Sequence, residues 1–274
     1  MYPILFEYKT LQISTYGLML MIAFLLCNYL LRKYLVSIDK DPKIGDDIIF
    51  YAAFGGILGS KIYYLIERAI LYGDYSNIYG MSNIFKGIVG LDILLVFSGI
   101  NQFGSGLVFL GGLIGGMITV TYYVRKNNLE WFVIADWAAP YLALGHAIGR
   151  IGCFLVGDCY GKPTELPWGM SFPMGSPPTN EFVHPTQLYE VMTGLIIFIY
   201  LIYLRKNINL YKGQIFFEYL FLAGLARFFV EFLRVNPHYF ESYINLSGAQ
   251  FVSILMILIS SIFMYLYRKK LEIN

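Results

Sequence analysis

Seven stretches of the chain are apolar over the length that a helix needs to cross a lipid bilayer. A spanning helix takes ~20 mostly apolar residues, because the hydrocarbon core offers no water to unpaired backbone groups. The stretches lie at residues 14–31, 48–67, 104–124, 131–155, 189–204, 214–233 and 248–267. The sequence therefore predicts an all-α membrane protein with seven transmembrane helices, folded as a single integral membrane domain over residues 1–274.

The composition excludes several other classes of protein. Of the 274 residues, 57% are hydrophobic and only 14% are charged, whereas soluble domains carry about a quarter charged residues. A net charge of +2 with no basic block argues against nucleic acid as a partner. Three cysteines cannot build a disulfide framework.

The lysines and arginines predict the orientation, since cytoplasmic loops of membrane proteins carry an excess of them. Most of the lysines and arginines lie in every second loop. The loops between these hold few basic residues, among them Lys9, Lys86 and Lys162. With seven spans, this asymmetry puts the N-terminus outside and the C-terminus in the cytoplasm. The basic residues of the predicted cytoplasmic side are Arg32, Lys33, Lys40, Lys43, Arg125, Lys126, Arg205, Lys206, Lys212, Arg268, Lys269 and Lys270.

Two segments outside the seven stretches also carry predictions. Residues 91–100 are apolar but too short to cross, so we interpret them as an interfacial or re-entrant piece. Residues 156–188 are rich in proline and too long for a simple connector, and such loops are usually functional or disordered. Because this loop holds Trp168 and Phe172 with little charge, we expect it to be an ordered loop on the outer face.

Ionisable residues inside the stretches are costly to insert and therefore indicate function. Arg150 stands near the outer end of the fourth stretch, and Arg227, Glu231 and Arg234 follow at i, i+4 and i+7 in the sixth. That spacing places the last three on one helical face. An Arg–Glu pair within the helix is one interpretation; a bound phosphate, which arginine holds bidentately, is the other.

A second polar cluster, HPTQLYE at 184–190, begins the fifth stretch. Helix capping explains part of it, yet Gln187, Tyr189 and Glu190 offer more polar groups than a cap requires. No His or Cys spacing typical of a metal site occurs, so we expect no metal and no cofactor. Lys61 is expected to snorkel or to pair with a carboxylate, and Asp136 to be solvated or to cap a helix.

Glycines recur at four-residue spacing, which in membranes usually means close helix packing. In GRIGCFLVGDCYG (149–161), glycines surround Arg150, and we interpret them as backbone brought near a ligand. The spaced pairs are Gly55/Gly59, Gly111/Gly115, Gly112/Gly116 and Gly145/Gly149.

Taken in order, these motifs resemble the prolipoprotein diacylglyceryl transferase family. GRIGCFLVGDCYG (149–161), HPTQLYE (184–190) and RFFVEFLR (227–234) are similar to three of its signature regions. TYGLM (15–19), GGILGSKIYYLI (55–66) and GLVFLGGLIGG (106–116) are similar to its first three helices. No single motif is specific, but their order and spacing across the chain are.

The resemblance implies a seven-span enzyme of the bacterial inner membrane. Such an enzyme transfers the diacylglyceryl group of phosphatidylglycerol to the lipobox cysteine of a prolipoprotein signal peptide, the first step of lipoprotein maturation. The family's essential arginines match Arg150 and Arg227, and its first-helix tyrosine matches Tyr16. Its signature acidic residue and closing glycine match Asp158 and Gly161.

We therefore expect two groups of site residues. The expected catalytic residues are Arg150, Asp158, Arg227 and Glu231. Substrate is expected to bind Tyr16, Arg150, Gly161, Gln187, Tyr189, Glu190, Arg227 and Arg234.

The chain departs from the family at three positions. Leu110 stands where the family has a third-helix histidine that is often assigned as the thiol base. Cys153 stands where the family has an asparagine, and Lys61 where it has an arginine. Asp158, Glu190, Glu231, water or substrate phosphate then remain as proton acceptors. One alternative is a non-catalytic lipid-binding or lipid-translocating paralogue, which Leu110 favours. A thiol-redox enzyme using Cys153 and Cys159 is another, although their spacing differs from CxxC.

The Lys/Arg asymmetry makes a testable prediction about topology. A reporter that is active only in the cytoplasm should be active when fused after Lys270 and silent when inserted within residues 165–180. Reporter activity in whole cells measures both, with protein amount checked by immunoblot. The reverse pattern would contradict the predicted orientation.

Overall fold

A computed structural model describes residues 3–8, 11–103, 106, 108–206, 211–235, 238–239 and 246–273, and within them the chain is mostly helical. Strands occur as three antiparallel pairs: β1 (Ile4–Tyr8) with β2 (Leu11–Ser14), β3 (Met170–Phe172) with β4 (Thr179–Val183), and β5 (His238–Tyr239) with β6 (Leu246–Ser247). The helices are α1 (Thr15–Ser37), α2 (Lys43–Tyr72), α3 (Ser76–Val89), α4 (Ile93–Phe103), α5 (Phe109–Lys126), α6 (Trp131–Val156), α7 (Thr186–Leu204), α8 (Gln214–Glu231) and α9 (Gly248–Ile273).

Each of the seven apolar stretches coincides with or overlaps a helix, and five of these helices are long and apolar enough to cross a membrane. The five are α1, α2, α6, α7 and α9, the last over Gly248–Lys269. Helices α5 and α8 are only 18 residues long, and both include charged side chains. Many large apolar side chains of the spanning helices are exposed, as lipid contact requires. The structure therefore supports an all-α membrane protein.

Helix α3 and the three strand pairs were not predicted from the sequence. Residues 76–89 form helix α3, which packs antiparallel to the short α4 through glycines. At 11 residues, α4 is about 16 Å long and too short to cross a bilayer, which agrees with our interpretation of residues 91–100. The N-terminal hairpin of β1 and β2 was also missed.

The chain divides into two compact units, residues 43–129 and the remainder. In the larger unit, α6 packs against α1, α7 and α8, and α9 packs against α8. Its core is formed by small residues of α6, Ala139 and Ala143, against Leu201 of α7 and Ile215 of α8. The single domain over 1–274 stays a prediction.

Of the two roles expected for Asp136 of α6, solvated or capping, the structure shows a cap, and the helix that it caps is α8. Its carboxylate oxygens accept hydrogen bonds from the backbone N–H groups of Gly213 (2.6 Å) and Phe216 (2.9 Å), at the start of α8. These N–H groups have no partner within their own helix. Asp136 thus satisfies the N-terminus of α8 from α6 and fixes where the two helices meet.

In the smaller unit, α2 and α5 approach so closely that glycine is required at the contact. A Cβ atom on Gly59 would lie 2.3 Å from the carbonyl oxygen of Gly111, and one on Gly115 would lie 2.2 Å from that of Gly55. The packing interpretation of these pairs is confirmed. For Gly149 it is wrong, since a Cβ there would meet no described atom within 4 Å.

Lys61 of α2 is buried in the same unit. Its Nζ donates to Oδ1 of Asn77 (3.2 Å) and to the carbonyl oxygen of Phe103 (2.6 Å), and it lies 4.0 Å from the centre of the Phe103 ring. Lys61 is only 9% exposed, which contradicts the prediction that it snorkels to the membrane surface. The lysine instead ties α2 to both α3 and α4.

Two neighbouring glycines of α2 test this packing. Gly59→Ala should lower the stability of the protein by about 1–3 kcal/mol, the usual cost of overpacking. Gly56→Ala is the matched control, because its Cβ would meet only the Gly112 oxygen at an ordinary 3.8 Å. Thermal unfolding in detergent measures both. Equal melting temperatures would show that α2 and α5 are not in close contact.

Candidate active site

Charged side chains from three helices converge in the larger unit. Arg150 lies near the end of α6, Glu190 in α7, and Arg227 and Glu231 in the second half of α8, with Arg234 shortly after it. We call these five residues the arginine cluster. All five were among the expected site residues, but the sequence did not predict that Glu190 pairs with the arginines.

Glu190 is shared by three arginines. Its carboxylate oxygens lie 3.1 Å from Nε of Arg150, 3.1 Å from Nη1 of Arg227 and 3.6 Å from Nη1 of Arg234. The Glu190 side chain is 4% exposed. Helix capping therefore does not explain this residue, and no acidic side chain lies in the first turn of α7. Through these ion pairs Glu190 links α7 to α6 and to the end of α8.

Glu231 supplies the second carboxylate. It pairs with Arg227 at 2.8 Å, the i, i+4 pair that the sequence suggested, and accepts a hydrogen bond from Ser247 Oγ at 2.6 Å. The expected single helical face is wrong for Arg234, because α8 ends at Glu231 and a turn follows. Arg234 nevertheless points back, with Nε 3.9 Å from Oε2 of Glu231.

The cluster retains capacity for an anion. Within the ion-paired set, three guanidinium groups face two carboxylates, which leaves one positive charge. Nε of Arg234 is buried and has no hydrogen-bond acceptor among the described residues. Arg150 and Arg227 keep 18% and 27% of their side chains exposed, against 1% for Glu231. A tetrahedral oxyanion such as phosphate matches the donors that remain.

The loop after α6 is attached to this cluster by hydrogen bonds to its backbone. Gln187 Nε2 donates to the carbonyl oxygen of Asp158 (2.5 Å), and Thr186 Oγ1 and Arg234 Nη1 both donate to that of Cys159 (2.8 and 3.3 Å). Gln187 is fully buried. Its amide nitrogen holds the loop, and the expected contact of Gln187 with substrate stays a prediction.

Gly161 also has a packing role. Its N–H donates to the carbonyl oxygen of His184 (2.9 Å), and a Cβ atom would lie 2.5 Å from the carbonyl oxygen of Leu233. The backbone of residue 161 pairs with that of Arg234 as an isolated β-bridge. The glycine therefore allows the loop to approach the backbone segment that carries Arg234, and its expected place beside substrate stays a prediction.

The rest of the 156–188 loop is folded. Strands β3 and β4 pair, and Phe172 is buried against Tyr160 and Phe154. Tyr189, expected to bind substrate, accepts a hydrogen bond from Trp168 Nε1 at 2.8 Å and lies 3.3 Å from Nδ1 of His184. These contacts join the loop to the start of α7.

Tyr16 lies in the first turn of α1 beside α6. A Cβ on Gly152 would lie 3.1 Å from Cδ2 of the tyrosine ring, so the ring occupies the space that this glycine leaves. The Tyr16 side chain remains partly exposed. Gly152 is two residues from Arg150 in α6, so the place of Tyr16 is compatible with its expected role in substrate binding.

The structure brings together three residues whose spacing gave no signal. The side-chain ligand atoms of Cys153, Asp158 and Cys159 lie within 4.8 Å of one another. Arg150 Nη1 is 3.8 Å from Cys153 Sγ, and this positive charge disfavours a cation there. Burial raises the pKa of Asp158, which lies beyond the end of α6, to about 6. The expected absence of a metal stays a prediction.

His146 is the residue near the cluster that sequence reasoning did not assign. It precedes Arg150 by one helical turn, and its Nε2 is 3.9 Å from Oε1 of Glu190. Its side chain is 46% exposed, more than any member of the arginine cluster. The i, i+4 spacing from Arg150 was a signal that could have identified it.

Comparison with known proteins identifies the family of this chain. The family model for prolipoprotein diacylglyceryl transferase matches residues 3–266. The chain belongs to this family. It is 38% identical over 266 residues to the phosphatidylglycerol–prolipoprotein diacylglyceryl transferase of Clostridium tetani, covering 94% of this chain and 95% of the relative.

Transferases of the same name from other bacteria are also similar. The protein of Leptospira interrogans is 34% identical over 86% of this chain and 78% of its own length. That of Bordetella parapertussis is 32% identical over 93% of this chain and 91% of its own. The resemblance seen in the motifs is confirmed over nearly the whole chain.

The shared carboxylate generates a prediction. Glu190→Gln keeps the shape of the side chain but leaves three guanidinium groups with one carboxylate. Removing one partner of a buried pair costs about 3–5 kcal/mol, and we expect the lower end because the arginines are partly exposed. Glu181→Gln, at an exposed position of β4, is the control. Thermal unfolding in detergent should separate the two variants; equal stability would show that Glu190 does not hold the cluster.

Proposed function

We propose that this protein transfers the diacylglyceryl group of phosphatidylglycerol to a prolipoprotein cysteine thiol and releases glycerol phosphate. The observation that supports it most strongly is the arginine cluster, which has buried counter-charges and spare donors for a phosphate, in a chain that belongs to the transferase family. The non-catalytic paralogue is not favoured, since the similar proteins carry the name of the transferase.

In this proposal the arginines stabilise the leaving group. Sulfur becomes bonded to the glycerol carbon, so the bond that breaks is the one between that carbon and the phosphate oxygen. Negative charge develops on this oxygen, and donors fixed in advance in a water-poor site stabilise it most effectively. Glu190 and Glu231 hold Arg150, Arg227 and Arg234 in position before the lipid binds.

The remaining predicted residues act around the phosphate. Gln187 and Gly161 hold the loop, Tyr189 joins it to α7, and Tyr16 borders the lipid. The folded 156–188 loop covers the site and excludes water, which would otherwise compete with the thiol. Asp158 contributes negative charge beside Arg150, and its carboxyl is protonated as the pH falls below about 6.

We further propose seven spans, with α5 and α8 crossing beside the five apolar helices, the N-terminus outside and the C-terminus in the cytoplasm. The basic loops support this orientation. The protein then lies in the bacterial inner membrane with its arginine cluster toward the outer face. The lipobox signal peptide, itself an apolar helix, arrives at the same depth through lipid. Nucleic acid is not among the proposed partners.

The reaction can be tested with purified protein in detergent. Given phosphatidylglycerol and a lipobox peptide, it should release glycerol phosphate and form a thioether-linked peptide, both measured by mass spectrometry. A Cys→Ser peptide should give neither product, because a hydroxyl is a much poorer nucleophile. Release that ignores the peptide would indicate a phospholipase, and no release with lipid bound would favour a lipid-binding protein.

The arginine variants test the phosphate site in the same assay. Arg150→Lys and Arg227→Lys keep the charge but lose the planar fork, so each should lose at least ~90% of the activity. Arg205→Lys, at the far end of α7, is the control: this arginine contacts Tyr34 and Tyr141 instead of the cluster. Full activity of both cluster variants would contradict the proposal.

A further inference from the structure

We propose that His146 is the general base that takes the proton from the substrate thiol. This inference rests on the proposed function and names the proton acceptor that the sequence left open. It is carried by three observations: the place of His146 along α6, its exposure, and its contact with Glu190.

The carboxylates of the cluster are poorly suited to this task. Glu190 lies against three guanidinium groups, and Glu231 pairs with Arg227 and accepts from Ser247. Both side chains are at most 4% exposed. A thiol would have to displace an arginine to reach either carboxylate. The His146 side chain is 46% exposed, so a substrate has direct access to it.

The direction of the reaction selects His146 over Asp158. In an in-line displacement the sulfur approaches the glycerol carbon from the side opposite the departing phosphate oxygen. In a phospholipid that carbon lies between the phosphate and the acyl chains, so the sulfur approaches from the acyl-chain side. His146 lies four residues before Arg150, about 6 Å nearer the middle of the helix. Asp158 lies beyond Val156, on the other side of the phosphate site.

Glu190 completes the arrangement. Its Oε1 is 3.9 Å from Nε2 of His146, so the carboxylate stabilises the imidazolium that forms when the ring takes a proton at Nδ1. A nucleophile, an imidazole base and a carboxylate that orients the base form a recurring catalytic arrangement. Glu190 thus has two functions: it holds the arginines, and it positions the base.

The step balances in protons and electrons. The thiol proton moves to Nδ1 of His146 as the sulfur forms its bond to the glycerol carbon. The electron pair of the breaking carbon–oxygen bond leaves with the phosphate oxygen, beside the arginines. The imidazolium then gives its proton to the released phosphate ester or to water. Imidazole suits this exchange because its ordinary pKa lies near neutrality.

The test uses two acceptor peptides that differ in one atom. With a cysteine peptide at pH 7, His146→Gln should lower kcat/KM by ~100-fold, within the range of general-base catalysis. A selenocysteine peptide carries a selenol that is already ionised at neutral pH, so no base is needed to remove its proton. With this peptide the variant should match the wild type within about threefold, far less than the ~100-fold effect expected with cysteine. Arg150→Lys is the matched control and should lose activity with both peptides, because it acts on the leaving group.

A pH series gives a second measure. The thiolate fraction of a free cysteine rises from about 3% at pH 7 to about three-quarters at pH 9, so the defect of His146→Gln should shrink by at least ~10-fold. The charged groups that act on His146 are Arg150 on its own helix, Glu190 of α7 and Arg227 of α8. The Cys27 thiol of α1 lies beside the neighbouring Gly145.

Each outcome decides the proposal. If His146→Gln loses kcat/KM equally with the cysteine and selenocysteine peptides, or loses none with either, His146 is not the base. If the wild type transfers to neither peptide, the proposed function itself is overturned. Thermal unfolding and the selenocysteine reaction both report whether His146→Gln is folded. If it is not, His146→Asn, with a smaller amide, replaces it in the same comparison.

Discussion

The carboxylate of Glu190 is the interaction on which the larger unit of this protein depends. It is buried among apolar helices and contacts guanidinium groups from α6, α8 and the turn after α8. Burying a charge is unfavourable unless it is paired, and removing one partner leaves the others uncompensated. The helices therefore have to meet where Glu190 lies, and the loop that Arg234 and Gln187 hold is positioned by the same contacts.

Much of the fold followed from the sequence because bilayer length and apolar composition constrain a helix strongly. The seven stretches all form or overlap helices, and close packing at the glycine pairs of α2 and α5 was predicted from spacing, although not that these two helices pack against each other. The α3 helix and the N-terminal hairpin were missed, since the strands are only 5 and 4 residues long and α3, at 14 residues, is too short to cross a bilayer. Asp136 was predicted to cap, but only the structure shows that it caps α8 from α6.

The site was predicted in part for the same reason. Arginines within a span are conspicuous in the sequence, so Arg150 and Arg227 can be predicted from it. The loop contacts of Gln187 and Gly161 were not predicted, because a polar or small residue in a motif looks the same whether it contacts a ligand or the backbone. Cys153, Asp158 and Cys159 lie close together only because the turn after α6 folds back.

The arrangement separates two tasks along one helix. In the proposed mechanism Arg150, near the end of α6, stabilises the departing phosphate, and His146, one turn earlier in α6, faces the side from which sulfur approaches. Glu190 contacts both residues, so the leaving-group site and the base are held at a fixed separation. In a lipid with its headgroup at the membrane surface and its chains in the bilayer, the phosphate and the acyl chains follow one another in the same order as Arg150 and His146 along α6.

The central claim is that the arginine cluster recognises the phosphate of a diacylglycerol lipid. Native mass spectrometry of the detergent-purified protein, with phosphatidylglycerol and diacylglycerol of the same acyl chains in competition, measures this preference directly. We predict that the wild type retains phosphatidylglycerol preferentially, and that the Arg150→Lys, Arg227→Lys double variant loses the preference while still binding both lipids. An undiminished preference in the double variant would contradict the account.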